Sequence, residues 1–348
     1  MKRYKNILMV RLDRIGDVLL STPAIKAVRD AYPESRISFM TRPYDEDVVR
    51  GNPYLNDVII YDKNGKEKGL FGNLKFIAEI FKRRYDLAII LHPTFRTHLI
   101  VYLSLIPERL GYDKKGAFLL TRKVPHTKQF GLKHEIDYTL DLLTYIGIEP
   151  KERKLYMPVN NESDLKIKDI FSANGIGPGD KVLTINPGAS CPSKRWKPEN
   201  FAIVADELSD KYGMKVCLIS GKEDEQFAAQ VAAGMKRKAV NLAGMTTVAD
   251  IASVLRNSRL FISNDSGPVH IACAVGTPVV AIFGRSDRGL SPDRWGPSGR
   301  NDIALHKDAG CEICMAHNCS LGFKCLQAVT PVEVVASASS LLEGIEKK

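Results

Sequence analysis

Short apolar runs, bounded by polar turns, alternate along this chain with longer amphipathic stretches. In the first half the runs are Asn6–Val10, Arg36–Met40, Val58–Tyr61 and Leu87–Leu91, rich in branched residues on both faces. That pattern predicts buried strands of a parallel sheet. Asp17–Tyr32, Leu70–Arg83 and Thr97–Leu105 read as the helices between them. Pro23 lies inside the first, which predicts a kink or a restarted helix with Thr22 as its cap. A polar stretch, Lys151–Asp164, reads as a linker. The alternation then resumes with strands at Lys181–Ile185, Lys215–Ile219, Ala239–Leu242, Leu260–Ser263 and Val279–Phe283. Phe201–Tyr212, Thr247–Arg256 (capped by Thr246), Val269–Val275 and a closing Pro331–Ile345 read as helices. No internal sequence repeat is visible. The expected architecture is α/β, with two doubly wound, Rossmann-like domains over 1–160 and 161–348. Their ligands should lie at the carboxyl ends of the strands, in a cleft.

The bulk numbers narrow the class. A chain of 348 residues exceeds one ordinary core, in keeping with two domains. It is 44% apolar and 26% charged, a globular composition. No apolar run approaches the roughly 20 residues of a membrane span. The opening Met1-Lys2-Arg3-Tyr4 leads straight into a strand without a signal-peptide pattern, so a cytoplasmic location is expected. The net charge of +10 admits nucleic acid, an anionic membrane face or an acidic small substrate as partner. Because the charge is dispersed and no RNA-binding signature accompanies it, nucleic acid is not expected.

Candidate chemistry gathers where strands end. Leu260–Ser263 runs into Asn264-Asp265-Ser266-Gly267-Pro268-Val269-His270, where a helix begins at once. A helix N-terminus offers free N–H groups and partial positive charge, which suits a phosphate. Gly267 lets a ligand approach the backbone, and Pro268 fits the first helical position. Asp265 and Ser266 belong to the same turn. His270 either donates to a phosphate or is a buried, satisfied histidine. The loop Asn186–Pro198 carries Ser190, Lys194 and Arg195, and Lys194 can stabilise charge developing on a phosphate. The loop lacks Walker spacing, which argues against ATP hydrolysis. Glu225, and after it Glu223, either holds ribose hydroxyls or favours a helix N-terminus. Met245 and Thr246 follow another strand, where Met245 can touch a base.

In the first half, Gly16 permits a tight turn and Asp17 follows it. Asp17 either caps a helix or acts as general base on a sugar hydroxyl. Asp13 is a rival in the same loop. Arg11, Arg14, Arg96 and His134 either hold an anionic acceptor or are ordinary surface charge. Four of the seven cysteines, Cys311, Cys314, Cys319 and Cys325, form C-x2-C-x4-C-x5-C within a loop over 309–326. Metal, disulfides and free thiols all remain open. A metal held by four thiolates, with zinc the expected ion, would clamp the loop and leave no open position for substrate.

Taken together these residues resemble glycosyltransferase family 9, the lipopolysaccharide heptosyltransferases. The resemblance spans nearly the whole chain. It rests on Arg14–Ala24 (RIGDVLLSTPA), Pro187–Trp196 (PGASCPSKRW), Asn264–Ala272 (NDSGPVHIA) and Gly276–Gly284 (GTPVVAIFG), in that order. It implies a GT-B fold with an acceptor domain first and a nucleotide-sugar domain second. It also implies inverting transfer of heptose from ADP-heptose to the lipopolysaccharide inner core, with no cofactor required for catalysis. The implied partners are ADP-heptose, an anionic lipid-linked saccharide and peripheral contact with the cytoplasmic face of the inner membrane. Asp17 matches the family's base, Lys194 its lysine near the phosphates, and Ser266, Gly267 and His270 its nucleotide cradle. Glu225 is a looser match, since its loop varies in length. The cysteine cluster is similar to one found in some members and absent from others. Arg11-Leu12-Asp13-Arg14 stands where first-heptose enzymes carry small polar residues, so the chain looks nearer the second-heptose type. Two alternatives remain: a transferase of this fold using another nucleotide sugar on a capsule or protein, and a non-catalytic nucleotide-sugar-binding protein.

Overall fold

The computed structural model describes residues 3–346, which form two compact units. One comprises the chain up to Gln129 together with Lys133–Pro158, and the other Phe130–Leu132 and the chain from Val159 onward. The first holds a six-stranded parallel sheet of β1 (Asn6–Val10), β2 (Arg36–Thr41), β3 (Asp57–Ile60), β4 (Leu87–Ile90), β5 (Glu108–Tyr112) and β6 (Arg122–Val124). Its order is β3-β2-β1-β4-β5-β6. The second unit holds β7 (Val182–Asn186), β8 (Lys215–Leu218), β9 (Ala239–Asn241), β10 (Leu260–Asn264), β11 (Val279–Phe283) and β12 (Ile303–His306). These too are parallel, in the order β12-β11-β10-β7-β8-β9. Counted from its own first strand, each sheet follows one and the same order, although the sequence shows no repeat.

In each sheet the winding reverses beside the first strand, between β1 and β4 and between β7 and β10. Loops leaving such a switch point diverge to opposite faces and leave a crevice where ligands of this fold class bind. The strands flanking both switch points are buried, with Leu8, Met9, Ile89, Leu183, Ile185 and Ile262 fully inaccessible. Burial on both faces is what their unbroken apolar runs demand. Trp196 closes the second core: its indole N–H donates to the Val329 carbonyl at 2.9 Å, and its ring meets Phe201 edge-on with centroids 5.0 Å apart.

Several local expectations are corrected. Of the kink or restart expected at Pro23 the structure shows the restart, as two helices, Ile15–Leu19 and Thr22–Ala31, but with a different cap. Thr22 is the first residue of the second and does not cap it; its hydroxyl donates to the Leu19 carbonyl at 2.7 Å, and Ser21 takes the cap position. Thr247, not Thr246, caps Val248–Arg256. Its Oγ1 accepts from the Asp250 N–H at 3.1 Å while the Asp250 carboxylate accepts from the Thr247 N–H at 3.0 Å. The expected linker already contains the start of a helix, Asn161–Ala173, capped by Asn160. β5 and β6 are not predicted because charged residues break their apolar runs, and β12 because its run, Ile303–Leu305, is only three apolar residues long; β6 is an edge strand, where charge guards against unwanted pairing. Among the described residues no helix is long and apolar enough to cross a membrane.

Candidate active-site residues

Both switch points carry dense polar networks. In the second unit, β7 and β10 each end in a buried asparagine. Asn186 Nδ2 donates to Ser263 Oγ at 3.2 Å and to Ser266 Oγ at 2.9 Å. Asn264 grips the neighbouring loop twice, donating to the Pro187 carbonyl at 2.8 Å and accepting the Trp196 N–H at 2.9 Å. Lys194 therefore projects from a loop pinned on both sides. Its ammonium lies 2.9 Å from Asp265 Oδ2, and the Arg285 guanidinium meets the same oxygen at 2.7 Å. Two cations on one carboxylate leave net positive charge just ahead of the Gly267–Val275 helix, where the Gly267 N–H has no intrahelical partner, Pro268 has no N–H and the Val269 N–H donates to the Ser266 carbonyl at 3.2 Å. Arg285 Nε is buried with no hydrogen-bond partner among the described residues. Arg285 also holds a left-handed backbone, φ 64°, rare for such a side chain. A buried, open donor beside a lysine and a helix N-terminus can receive an oxyanion.

The other donor-side candidates cluster in part. A Cβ on Gly244, whose φ is 70°, would collide with the Glu225 carboxylate, so the glycine lets that carboxylate lie against the turn bearing Met245 and Thr246. Met245 is exposed, and Thr246 Oγ1 is enclosed without a partner among the described residues. His270 is buried in the helix that follows Ser266. Ser190 is exposed on the Lys194 loop. Arg195 is held locally by the Ala189 carbonyl, Asp224 and the face of the Phe227 ring.

In the first unit the decisive residue is Arg11, expected to be solvated or acceptor-binding and in fact buried. It follows β1 and reaches across the switch point to the Leu91 carbonyl at 3.3 Å. Its Nε donates to Asp13 Oδ1 at 2.7 Å, and its Nη2 to Asp17 Oδ1 at 2.6 Å and Glu135 Oε1 at 3.1 Å. Buried Lys128 donates to the same Glu135 oxygen at 2.5 Å. Asp17 thus has one oxygen fixed, while its Oδ2 has no hydrogen-bond partner among the described residues and can accept a proton. Asp13 is less open. Burial pushes its carboxyl up to about 7 against the pull of Arg11, with the Asp17 charge adding to the rise. Its second oxygen stands 3.2 Å from His92 Nδ1, off the line a hydrogen bond needs. Burial and the Arg11 charge push His92 down to about 4, so that ring is neutral at pH 7.

Arg14 and Arg96 are exposed, near the starts of the helices Ile15–Leu19 and Phe95–Leu103. His134 is a helix cap: its Nδ1 accepts the Ile136 N–H at 3.2 Å. The four clustered cysteines are half-buried free thiols, not disulfides, and they line a cavity of about 380 Å³ with Ile313, Met315 and Phe323. Among the described residues no group of three or more His, Cys, Asp or Glu side chains converges as metal ligands. Of the alternatives left open for this cluster, the zinc clamp is therefore without support.

Residues 73–324 match glycosyltransferase family 9 (heptosyltransferase). The chain belongs to that family. This glycosyltransferase is 26% identical over 338 residues to lipopolysaccharide heptosyltransferase 3 of Escherichia coli K12, covering 94% of this chain and 95% of the relative. Among solved structures, a family 9 glycosyltransferase from Veillonella parvula superposes with a TM-score of 0.90 at 26% identity, covering 99% of each chain. The E. coli ADP-heptose lipopolysaccharide heptosyltransferase II superposes with a TM-score of 0.80 at 21% identity, covering 98% of this chain and 99% of that one. The fold is accordingly GT-B.

Arg285, Asn186, Asn264 and Lys128 are site residues that the sequence alone does not single out; Glu135, a weak acceptor candidate beside His134, instead holds Arg11 and Lys128. For Arg285, Asn186 and Asn264 a signal existed: a polar side chain at, or within two residues of, the carboxyl end of a strand. Nothing local marks Lys128, which becomes a site residue only by meeting Glu135, itself bonded to Arg11.

Proposed function

We propose that this glycosyltransferase transfers heptose from ADP-heptose to a sugar of the lipopolysaccharide inner core, with inversion. The observation that carries the reading is the pairing of Lys194 and Arg285 on Asp265 at the start of the Gly267–Val275 helix. That charge pattern suits a diphosphate leaving group. The second unit binds the donor: Ser190, Lys194, Ser266, Gly267, Pro268 and His270 at the phosphates, Glu225 at the ribose, and Met245 and Thr246 at the base. The first unit binds the anionic, lipid-linked acceptor with Arg14 and Arg96.

Asp17 Oδ2 takes the proton of the acceptor hydroxyl as that oxygen attacks the anomeric carbon. The bond from that carbon to the diphosphate breaks on the opposite face, and ADP departs with the electron pair. Lys194, Arg285 and the Gly267 N–H receive the charge that forms. The enzyme works at the cytoplasmic face of the inner membrane, where such an acceptor is displayed.

A nucleotide screen by thermal unfolding tests the donor. ADP at 100 times its dissociation constant should add about 2.7 kcal/mol of stability, with UDP adding less. A stronger response to UDP would overturn the assignment. Lys194→Ala should lower kcat by about 100- to 1000-fold, the usual cost of one donor to a developing oxyanion. Its melting temperature should barely move, because Asp265 keeps Arg285; steady-state kinetics beside a melting curve reads both.

A further inference from the structure

The first unit presents an apolar surface that none of the chemistry above uses. The helix Gly69–Lys82 buries only Phe76 and Ile80. On its outer side Leu70, Phe71 and Leu74 are 71%, 87% and 49% exposed. At helical spacing these three share one face with Ala78, and Lys75 and Lys82 border it. The end of the neighbouring helix Phe95–Leu103 is tied to this one, Ser104 Oγ donating to the Ile77 carbonyl at 3.3 Å. Exposed Leu103 and Leu105 flank that link.

The surroundings are basic. Residues 63–84 carry Lys63, Lys66, Lys68, Lys75, Lys82, Arg83 and Arg84 against Glu67 and Glu79 alone. Glu67 is occupied, accepting the Asp62 N–H at 2.7 Å, and Arg83 is paired with Asp57. The lysines remain as the outward charge. A contiguous exposed apolar face marks an interaction surface, and lysines bordering it select an anionic partner.

We propose that the outer face of Gly69–Lys82 docks this protein on an anionic lipid bilayer. Phe71, Leu70 and Leu74 enter the boundary between headgroups and acyl chains, and the lysines lie over lipid phosphates. The proposal extends the lipid-linked acceptor of the reading above by naming the surface that brings the enzyme to it. Neither ADP nor the catalytic carboxylate takes part in the docking.

Co-sedimentation with vesicles tests it. The full chain should bind vesicles of phosphatidylcholine mixed with phosphatidylglycerol, bind phosphatidylcholine alone far less, and release as salt rises. The variant Phe71→Ser/Leu74→Ser should partition about tenfold or more weakly while keeping its ADP-induced rise in melting temperature, since both side chains already face outward. Equal binding by variant and parent, or no binding of the parent to anionic vesicles at low salt, overturns the proposal. So does a parent that self-associates without sedimenting while the variant is monomeric, for the face would then join two copies of this chain. Vesicle binding needs neither donor nor acceptor. A protein that sediments yet transfers no sugar would overturn the heptosyltransferase reading and leave the docking face standing.

Discussion

Asp17→Ala should lower heptose transfer by about 100- to 10,000-fold while ADP still raises the melting temperature. The side chain removed offers a carboxylate oxygen, Oδ2, with no hydrogen-bond partner among the described residues, whereas its Oδ1 is fixed on Arg11 at 2.6 Å. Loss of that oxygen removes the proton acceptor and leaves the donor-side groups in the other unit untouched. Asp17→Asn makes the stricter version, because it keeps the shape and a hydrogen-bonding oxygen but cannot take the proton. Asp13→Asn is the control. Asp13 has one oxygen on Arg11 and the other beside a neutral His92, so this variant should retain far more activity than Asp17→Asn. Single-turnover rates of the two variants, compared with their ADP-induced shifts, decide the matter. Near-normal transfer by Asp17→Asn would discard the base assignment.

Arg11→Ala should destabilise the protein by about 3–5 kcal/mol, measured by urea unfolding at pH 7. Arg11 is buried and is the hydrogen-bonding cation shared by Asp13, Asp17 and Glu135, with Lys128 reaching only the last. Without it three carboxylates face one another with a single lysine. The deficit should shrink as pH falls and the carboxyls take up protons. The parent protein has a milder trend of its own. Burial raises the Asp13 carboxyl from 3.8 to about 7. A folded-state value above the unfolded one gives stability that is fully present below pH 3.8 and is lost as pH rises through about 7. Unfolding series at pH 5 and pH 8 should therefore show a larger Arg11→Ala deficit at the higher pH. A deficit that does not change with pH would mean that the guanidinium acts there by packing, not by charge.

Much of this was legible in the chain. The runs at β1, β4, β7 and β10 are mostly apolar, so the strands of the two switch points can be read from hydrophobicity, though not the order in which they pair. Gly16-Asp17 and Ser266-Gly267-Pro268 carry local turn chemistry that marks strand–helix junctions wherever it occurs. What stayed hidden depended on distance along the chain. Arg11 looks like a solvated charge until Glu135, 124 positions away, meets it. Arg285 becomes part of a cradle only through Asp265, 20 positions earlier. The cap of Val248–Arg256 was misplaced by one residue because Thr246 and Thr247 are chemically alike, and only the reciprocal bond with Asp250 separates them. β6 is hidden because an edge strand need not be apolar to pair, and β12 because its apolar run, Ile303–Leu305, is so short.

The grip of Asn264 reaches beyond the two bonds it makes. One amide fastens the backbone at Pro187 and again at Trp196, so the span between them arrives already shaped when the chain folds. Whatever that span later holds is spared the entropy of ordering it. On the proposed reading, affinity for the donor depends on a side chain, wholly inside the protein, that has no need to touch it.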